Sequence, residues 1–313
     1  MKNESIWTLA DIPPQTGRLA VVTGTGGLGY WTALALAQEG AEVIVAGRSE
    51  TKGREAVAKI RGDSPEVNVC FESLDLASLA SIRNFADRLL AKDRPIDLLI
   101  NNAGVMTPPK RLVTVDNFEL QFGTNHLGHF ALTARLLPLL RRGQQPRVVQ
   151  VSSSAHKLGG RIHFDDLQWT QTYKPWLAYA QSKLANLLFT FELQRRSDAA
   201  GWGLMSNAAH PGYARTELIP NGPGAHGLSW WLNKHLMQPI MSQSAADGAW
   251  PTLLAATSPT AQPAGYYGPR DYFEMKGPPV PAIVASQAKD VAVARSLWDV
   301  SEKLTGVSFP AAA

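Results

Sequence analysis

The apolar positions of this chain change period repeatedly, and each change marks a strand giving way to a helix or the reverse. Leu19 to Val22 is a short apolar run bounded by Thr23-Gly24, and Tyr30 to Gln38 reads as a helix stopped by Gly40. Together they form the opening strand, turn and helix of a βαβ unit. The pattern repeats: strand Val43 to Ala46, helix Glu50 to Ile60, strand Val67 to Phe71, helix Leu79 to Leu90, strand Ile96 to Ile100. A long helix over roughly Asn117 to Leu140 follows, then strand Val148 to Val151, a helix carrying Tyr179, and strand Leu204 to Ala209. After a region from about Leu228 to Ala256 come a short strand near Tyr266-Tyr267, a last helix from Asp290 to Leu304, and a tail from Phe309 to Ala313. Such alternation predicts an α/β fold with a doubly wound parallel sheet flanked by helices.

Composition narrows the picture. With 313 residues, 45% of them hydrophobic, the chain can bury one large core, and a single domain is expected. Charged residues are 18% and the net charge is +4 without a basic block. The pI of about 9.2 therefore argues for an anionic small molecule rather than nucleic acid. A single cysteine, Cys70, excludes an internal disulfide and a multi-cysteine zinc site; it is expected to be a small buried hydrophobe. The polar start, Met1 to Ser5, lacks the apolar segment of a signal peptide, and no run of about 18 apolar residues exists; a soluble cytoplasmic protein is the expectation. Residues 1–17 form an irregular lead-in, with Pro13-Pro14 opposing helix and Trp7 free to pin the segment down.

Candidate chemistry begins at Gly24-Thr25-Gly26-Gly27-Leu28-Gly29, a G-x-G-x-x-G turn that leaves a strand and opens a helix. Glycines let the backbone approach a pyrophosphate, whose charge suits the amide end of the helix. At the end of the second strand an NAD enzyme would place a carboxylate, but here the chain reads Gly47-Arg48-Ser49, with Lys52 one turn on. An Arg suits a 2′-phosphate, so NADP(H) is the expected cofactor. Asp75 and Leu76 after the third strand are expected to flank the adenine. Asn102, Ala103 and Gly104, in the polar turn after the fourth, are expected beside the cofactor.

Tyr179 and Lys183 stand four apart on a long periodic helix, so they are neighbours on one face. A lysine charge beside a phenol pulls its pKa down from about 10, which makes Tyr179 a candidate general acid or base. Tyr272 and Lys276 share the spacing, yet Gly277-Pro278-Pro279 stops any helix there. Val148 to Ser154 brings hydroxyls to the carboxyl end of the fifth strand, where open α/β sheets hold ligands. His126 and His129 share a helical face without a cysteine or paired carboxylate to complete a metal site, and no metal is expected. A hydrolase elbow and a G-K-[ST] phosphate loop are both missing.

With those residues in view, the chain resembles the short-chain dehydrogenase/reductase family, closely from the glycine turn to Thr216 and more loosely to the end. The resemblance is carried by the T-G start of the turn, N-N-A-G, a mid-helix Asn, S-S, Y-x-x-x-K and P-G-x-x-x-T, in that order. Trp-Thr-x-x-Asp-Ile-Pro in the lead-in and the His-Phe-Asp-Asp-Leu-Gln run resemble its retinol-dehydrogenase-like branch. The resemblance implies a Rossmann-type fold with Asn125, Ser153, Tyr179 and Lys183 as the catalytic set. Tyr179 would exchange a proton with a carbonyl or alcohol, and Lys183 would lower its pKa and hold the nicotinamide ribose. Ser153 would bind the substrate oxygen, and Asn125 would anchor a relay water. Pro211, Gly212 and Thr216 would line the nicotinamide end. Thr23 to Gly29 is one residue shorter than the usual family turn, and Trp31 stands where the branch has an acidic residue.

Residues 18–216 are thus expected to form the core, about 217–256 a substrate lid, and 257–313 a C-terminal extension. The lid stretch carries Trp230, Trp231, Leu232, Leu236, Met237 and Met241, which suits a bulky hydrophobic ketone, aldehyde or alcohol, with core packing as the rival account. A carbonyl reductase or alcohol dehydrogenase is the leading expectation. A C=C reductase and a non-catalytic NADP sensor remain as alternatives. Apolar residues on more than one face of the Asn117 and Tyr179 helices suggest a homo-oligomer, dimer or tetramer.

Overall fold

Each predicted apolar run forms a strand of one eight-stranded sheet, ordered β3-β2-β1-β4-β5-β6-β7-β8. The computed structural model describes residues 6–214 and 242–310. The strands are β1 Leu19–Thr23, β2 Glu42–Gly47, β3 Val69–Ser73, β4 Leu98–Asn101, β5 Arg147–Val151, β6 Met205–Ala209, β7 Tyr266–Asp271 and β8 Lys276–Pro281. All neighbours pair in parallel except β7 with β8. Strand order reverses between β1 and β4, which opens a crevice at their carboxyl ends.

Alternation along the strands feeds two cores. Ala20 and Val22 face α1 (Gly27–Gln38), α2 (Glu50–Asp63) and α7 (Ala245–Thr257). Leu19 and Val21 face α3 (Leu79–Lys92), α5 (Gly128–Leu140) and α6 (Pro175–Ala200). The last helix, α8 (Val291–Thr305), lies over α5 and α6, with Trp298 and Phe309 packed edge-on or tilted against Phe130 and Phe189. The chain's own C-terminal segment therefore covers apolar faces that had suggested pairing between subunits. Among the described residues, no helix is long and apolar enough to cross a membrane.

Three local results depart from expectation. The long helix predicted from Asn117 begins later: Asn117 has a left-handed backbone with φ 65°, and the buried Glu119 carboxylate caps the short helix α4 (Leu120–Phe122). A π-helical turn, Gly123–Leu127, then joins it to α5. The Gly-Pro-Pro run that rules out a helix forms β8, because prolines fit an edge strand whose outer N-H positions need no partner. Cys70 on β3 is half-buried rather than enclosed, and burial pushes its thiol up. Trp7 and Trp31 both pack on the α1 core, and Trp31 meets Tyr30 edge to face at 5.3 Å. Of the predicted lid, α7 is the described part with residues 242–244; Trp230, Trp231, Leu232, Leu236, Met237 and Met241 lie outside the described residues.

Candidate active site

A cavity of about 600 Å³ opens at the carboxyl ends of the strands. Gly24, Gly26, Gly27 and Leu28 line one end, with Asn102, Ala103 and Gly104 beside them. Gly24 and Gly27 have φ of 100° and 52°, conformations a side chain would oppose. Gly26 has nothing within 4 Å of where a Cβ would stand, so its backbone faces open space. Gly29 does a different job from its neighbours: a Cβ there would lie 2.5 Å from Gly24 O and 2.7 Å from Asn102 Nδ2, so it permits close packing behind the cavity. Thr23 ties this turn to the next. Its hydroxyl accepts the N-H groups of Asn102 and Ala103 at 2.9 and 3.0 Å, and Asn102 Nδ2 donates to its carbonyl at 2.7 Å.

These residues fit a dinucleotide. The N-terminus of α1 carries no acidic side chain in its first turn, and its amide end favours a phosphate. Arg48 follows β2, whose Ala46 pairs with Thr23 and accepts Gly24 N-H at 2.7 Å. Arg48, Lys52, Asp75 and Leu76 do not line the cavity. Leu76 is buried in the sheet core, and its carbonyl would lie 2.5 Å from a Cβ on Gly128. The Asp75 carboxylate accepts Ala77 N-H at 2.9 Å.

Ser153, Tyr179 and Lys183 converge at the centre. The long helix α6 holds Tyr179 and Lys183 on one face, and the Lys183 ammonium lies 5.6 Å from the Tyr179 ring centroid. Lys183 Nζ donates to Val151 O at 2.9 Å, which fixes it against the end of β5. The neighbouring Ser153 side chain draws the phenol's pKa down. The direction of the tyrosine shift differs from expectation: burial pushes Tyr179 up to about 12, outweighing Ser153. Burial also pushes Lys183 down to about 8. The dry site disfavours both charged forms.

Asn125 stands behind this group, at the middle of the π turn. Its Nδ2 donates to Val105 O at 2.9 Å and to Ser182 Oγ at 3.0 Å, while its Oδ1 accepts Val105 N-H at 2.8 Å. Both amide hydrogens are thereby committed to protein, so the side chain clamps the Gly104-Val105 turn instead of holding a water through them. His129 extends the clamp: Nδ1 meets Asn125 O at 3.0 Å, and Nε2 meets the Thr23 hydroxyl at 3.0 Å. Burial pushes this imidazole down to about 4, so it is neutral at neutral pH.

Pro211 and Gly212 line the far end of the cavity, and Thr216 lies outside the described residues. The wall there includes Met106, Trp176, Tyr213, Glu274 and Met275, none singled out from sequence. The Tyr272 and Lys276 pair flanks the β7-β8 turn, with the ammonium 4.4 Å from the ring centroid. Among the described residues, no group of three or more His, Cys, Asp or Glu could hold a metal.

The family model described as short chain dehydrogenase matches residues 18–222. A Mus musculus polyprenol dehydrogenase is 42% identical over 302 residues, covering 94% of this chain and 86% of that protein. Homo sapiens retinol dehydrogenase 13 is 43% identical over 300 residues, with the same two coverages. Among solved structures, an uncharacterized Mycobacterium paratuberculosis protein superposes with a TM-score of 0.81 at 44% identity, covering 98% of this chain and all of that one.

Proposed function

We propose, from the premise that this chain belongs to the short-chain dehydrogenase family, that it is an NADP(H)-dependent carbonyl reductase or alcohol dehydrogenase for a bulky hydrophobic substrate. The family itself carries the coarser statement, an oxidoreductase that uses a nicotinamide cofactor. The observation behind the finer one is the meeting of Ser153, Tyr179 and Lys183 with the glycine turn in a single cavity.

When bound, the nicotinamide would supply or accept the hydride. The chain's own residues would handle the proton and the charge. Held at about 12, the Tyr179 phenol keeps its proton at neutral pH and can give it to a carbonyl oxygen. The phenolate left behind faces the Lys183 ammonium, whose charge opposes the burial cost. The Ser153 hydroxyl lines the same cavity as the phenol and would hold the same substrate oxygen. Asn125 would position the Gly104-Val105 turn, and the cofactor would rest against Gly24, Gly26, Gly27, Leu28, Asn102 and Ala103.

NADP(H) over NAD(H) rests on Arg48, with no carboxylate between Gly47 and Glu50 to grip a free 2′-hydroxyl. The substrate class rests on the wall of Met106, Trp176, Tyr213 and Met275. It also agrees with the relatives' names, since polyprenol and retinol are both long apolar alcohols.

The test follows NADPH absorbance with aryl ketones, bulky keto esters and retinal, with NADH in parallel and Tyr179→Phe as control. Turnover with NADPH that vanishes in the control supports the reading. Tight NADPH binding without turnover of any carbonyl would overturn it in favour of a sensor or a C=C reductase.

A further inference from the structure

The reductase chemistry leaves one carboxylate at the cavity wall without a task. Tyr272, Phe273 and Glu274, between β7 and β8, take three consecutive left-handed backbones with φ of 52°, 57° and 65°. None is glycine, so the turn is strained, and strain of this kind persists only where the surroundings over-determine it. Here the surroundings centre on Glu274, only 9% exposed. One oxygen accepts Lys157 Nζ at 2.5 Å and lies 3.2 Å from His210 Nε2. The other accepts Ile283 N-H at 2.7 Å.

Those partners belong to the chain segments that wall the substrate end. Lys157 closes the 3-10 turn that starts just after Ser153. His210 immediately precedes Pro211 and Gly212; its Nδ1 accepts Gly212 N-H at 3.2 Å, while Nε2 lies 3.2 Å from the Glu274 carboxylate without a well-directed hydrogen bond. Met275, the next residue, accepts Tyr213 N-H at 2.8 Å, and a Cβ on Gly212 would come within 2.3 Å of the Met275 carbonyl oxygen. Burial would push Glu274 up, but His210, Lys157 and the Ile283 amide hold it at about 2, so it stays ionised. Lys157 and Glu274 are 117 residues apart in sequence, and no local turn chemistry brings them together.

We propose that Glu274 is a positioning residue for the substrate end, a clamp that fixes the Ser153 turn, the Pro211-Tyr213 loop and the β7-β8 turn against one another. It sets the wall for a bulky substrate, and its recorded hydrogen bonds and ion pairs involve neither the glycine turn nor Tyr179. The kinetic half of this inference rests on the reductase reading; the clamp itself does not.

The experiment compares full-length wild type with Glu274→Gln, Glu274→Asp, Lys157→Met and the Glu274→Gln/Lys157→Met double variant. Glu274→Gln raises KM for a bulky ketone about tenfold, a loss of about 1.4 kcal/mol, while kcat and KM for NADPH stay near wild type. Lys157→Met raises the same KM less, and the double variant is no worse than Glu274→Gln, because the lysine acts only through the carboxylate. Glu274→Asp recovers part of the loss. Should Glu274→Gln fail to fold, Lys157→Met carries the test, since its ammonium lies nearer the surface. An unchanged ketone KM, or a loss of kcat and of NADPH affinity together with stability, overturns the proposal. Hydrogen exchange separates it from the reductase reading: faster exchange of the Tyr213 and Ile283 amides, with α6 unchanged, supports the clamp even if no carbonyl is reduced. Unchanged protection of those two amides overturns it whatever the turnover.

Discussion

The two ends of the cavity are built in different ways. The cofactor end comes from the first 104 residues, with glycines that permit close backbone approach and a threonine that bonds the neighbouring turn. The substrate end gathers Ser153, Trp176, Tyr213 and Met275 from four distant places and fastens them with side-chain ion pairs and one strained turn. At the first end the backbone is the device; at the second, side chains hold the backbone in place. Energetic separability follows: substitutions at one end should leave binding at the other unmoved, and only the residues between them should affect both.

Tyr179, the proposed proton donor, is a wall of neither end, and its removal gives the largest effect. Tyr179→Phe should lower kcat by about 10²–10⁴-fold, the range for a positioned general acid, with NADPH affinity by fluorescence titration unchanged. A matching loss of NADPH affinity would mean that the proton donor also builds the cofactor end.

Lys183 gives the next largest, read as stability. Its folded pKa of about 8 lies below the ordinary 10.5. Below pH 8 both states carry the proton, so the full cost of the buried charge is present, about 3 kcal/mol at about 1.4 kcal/mol per pH unit. Between about 8 and 10.5 the unfolded chain holds a proton that the folded chain has lost, so wild-type stability rises with pH. Lys183→Met should therefore be more stable than wild type in urea at pH 7, with the advantage closing by pH 10. A difference that stays constant with pH would show that the ammonium is not desolvated as its burial implies.

The same contrast explains what the sequence could reveal. Glycine beside a strand and Tyr four before Lys each have few physical uses, so the glycine turn and the Tyr179-Lys183 pair that share the cavity, and seven of the eight strands, were legible. The eighth strand was hidden because its prolines argue against regular structure everywhere except at a sheet edge. Glu274 and Met275 were hidden because carboxylates and methionines have many uses, and only the hairpin brings these two to the wall. The upward shift of Tyr179 was likewise invisible: spacing reveals the lysine neighbour but not the burial that outweighs it.

Arg48 tests the cofactor end alone. Arg48→Ser should weaken NADPH by about tenfold, the loss of one charge-assisted hydrogen bond of about 1.5 kcal/mol, while NADH and ketone KM stay put. Equal weakening of NADH would assign Arg48 to the shared parts of the dinucleotide instead of the 2′-phosphate.

The smallest effect, and the sharpest probe of the division, is expected at Trp176. It opens α6 three residues before Tyr179, and the two ring centroids are 6.0 Å apart with a 45° tilt. Trp176 lines the cavity yet is 44% exposed, so a substrate can cover only part of the ring. Truncation to Ala should cost about 1 kcal/mol of apolar contact, or about fivefold in KM. That loss should appear for a bulky ketone, shrink for a small one that never reaches the indole, and be absent from NADPH affinity. Because Trp176 shares a helix with the proton donor, kcat also discriminates: a fall in kcat for both ketones would mean that the indole orients Tyr179. The proton donor would then belong to the substrate end, and the boundary between the two regions would run through α6 instead of beside it.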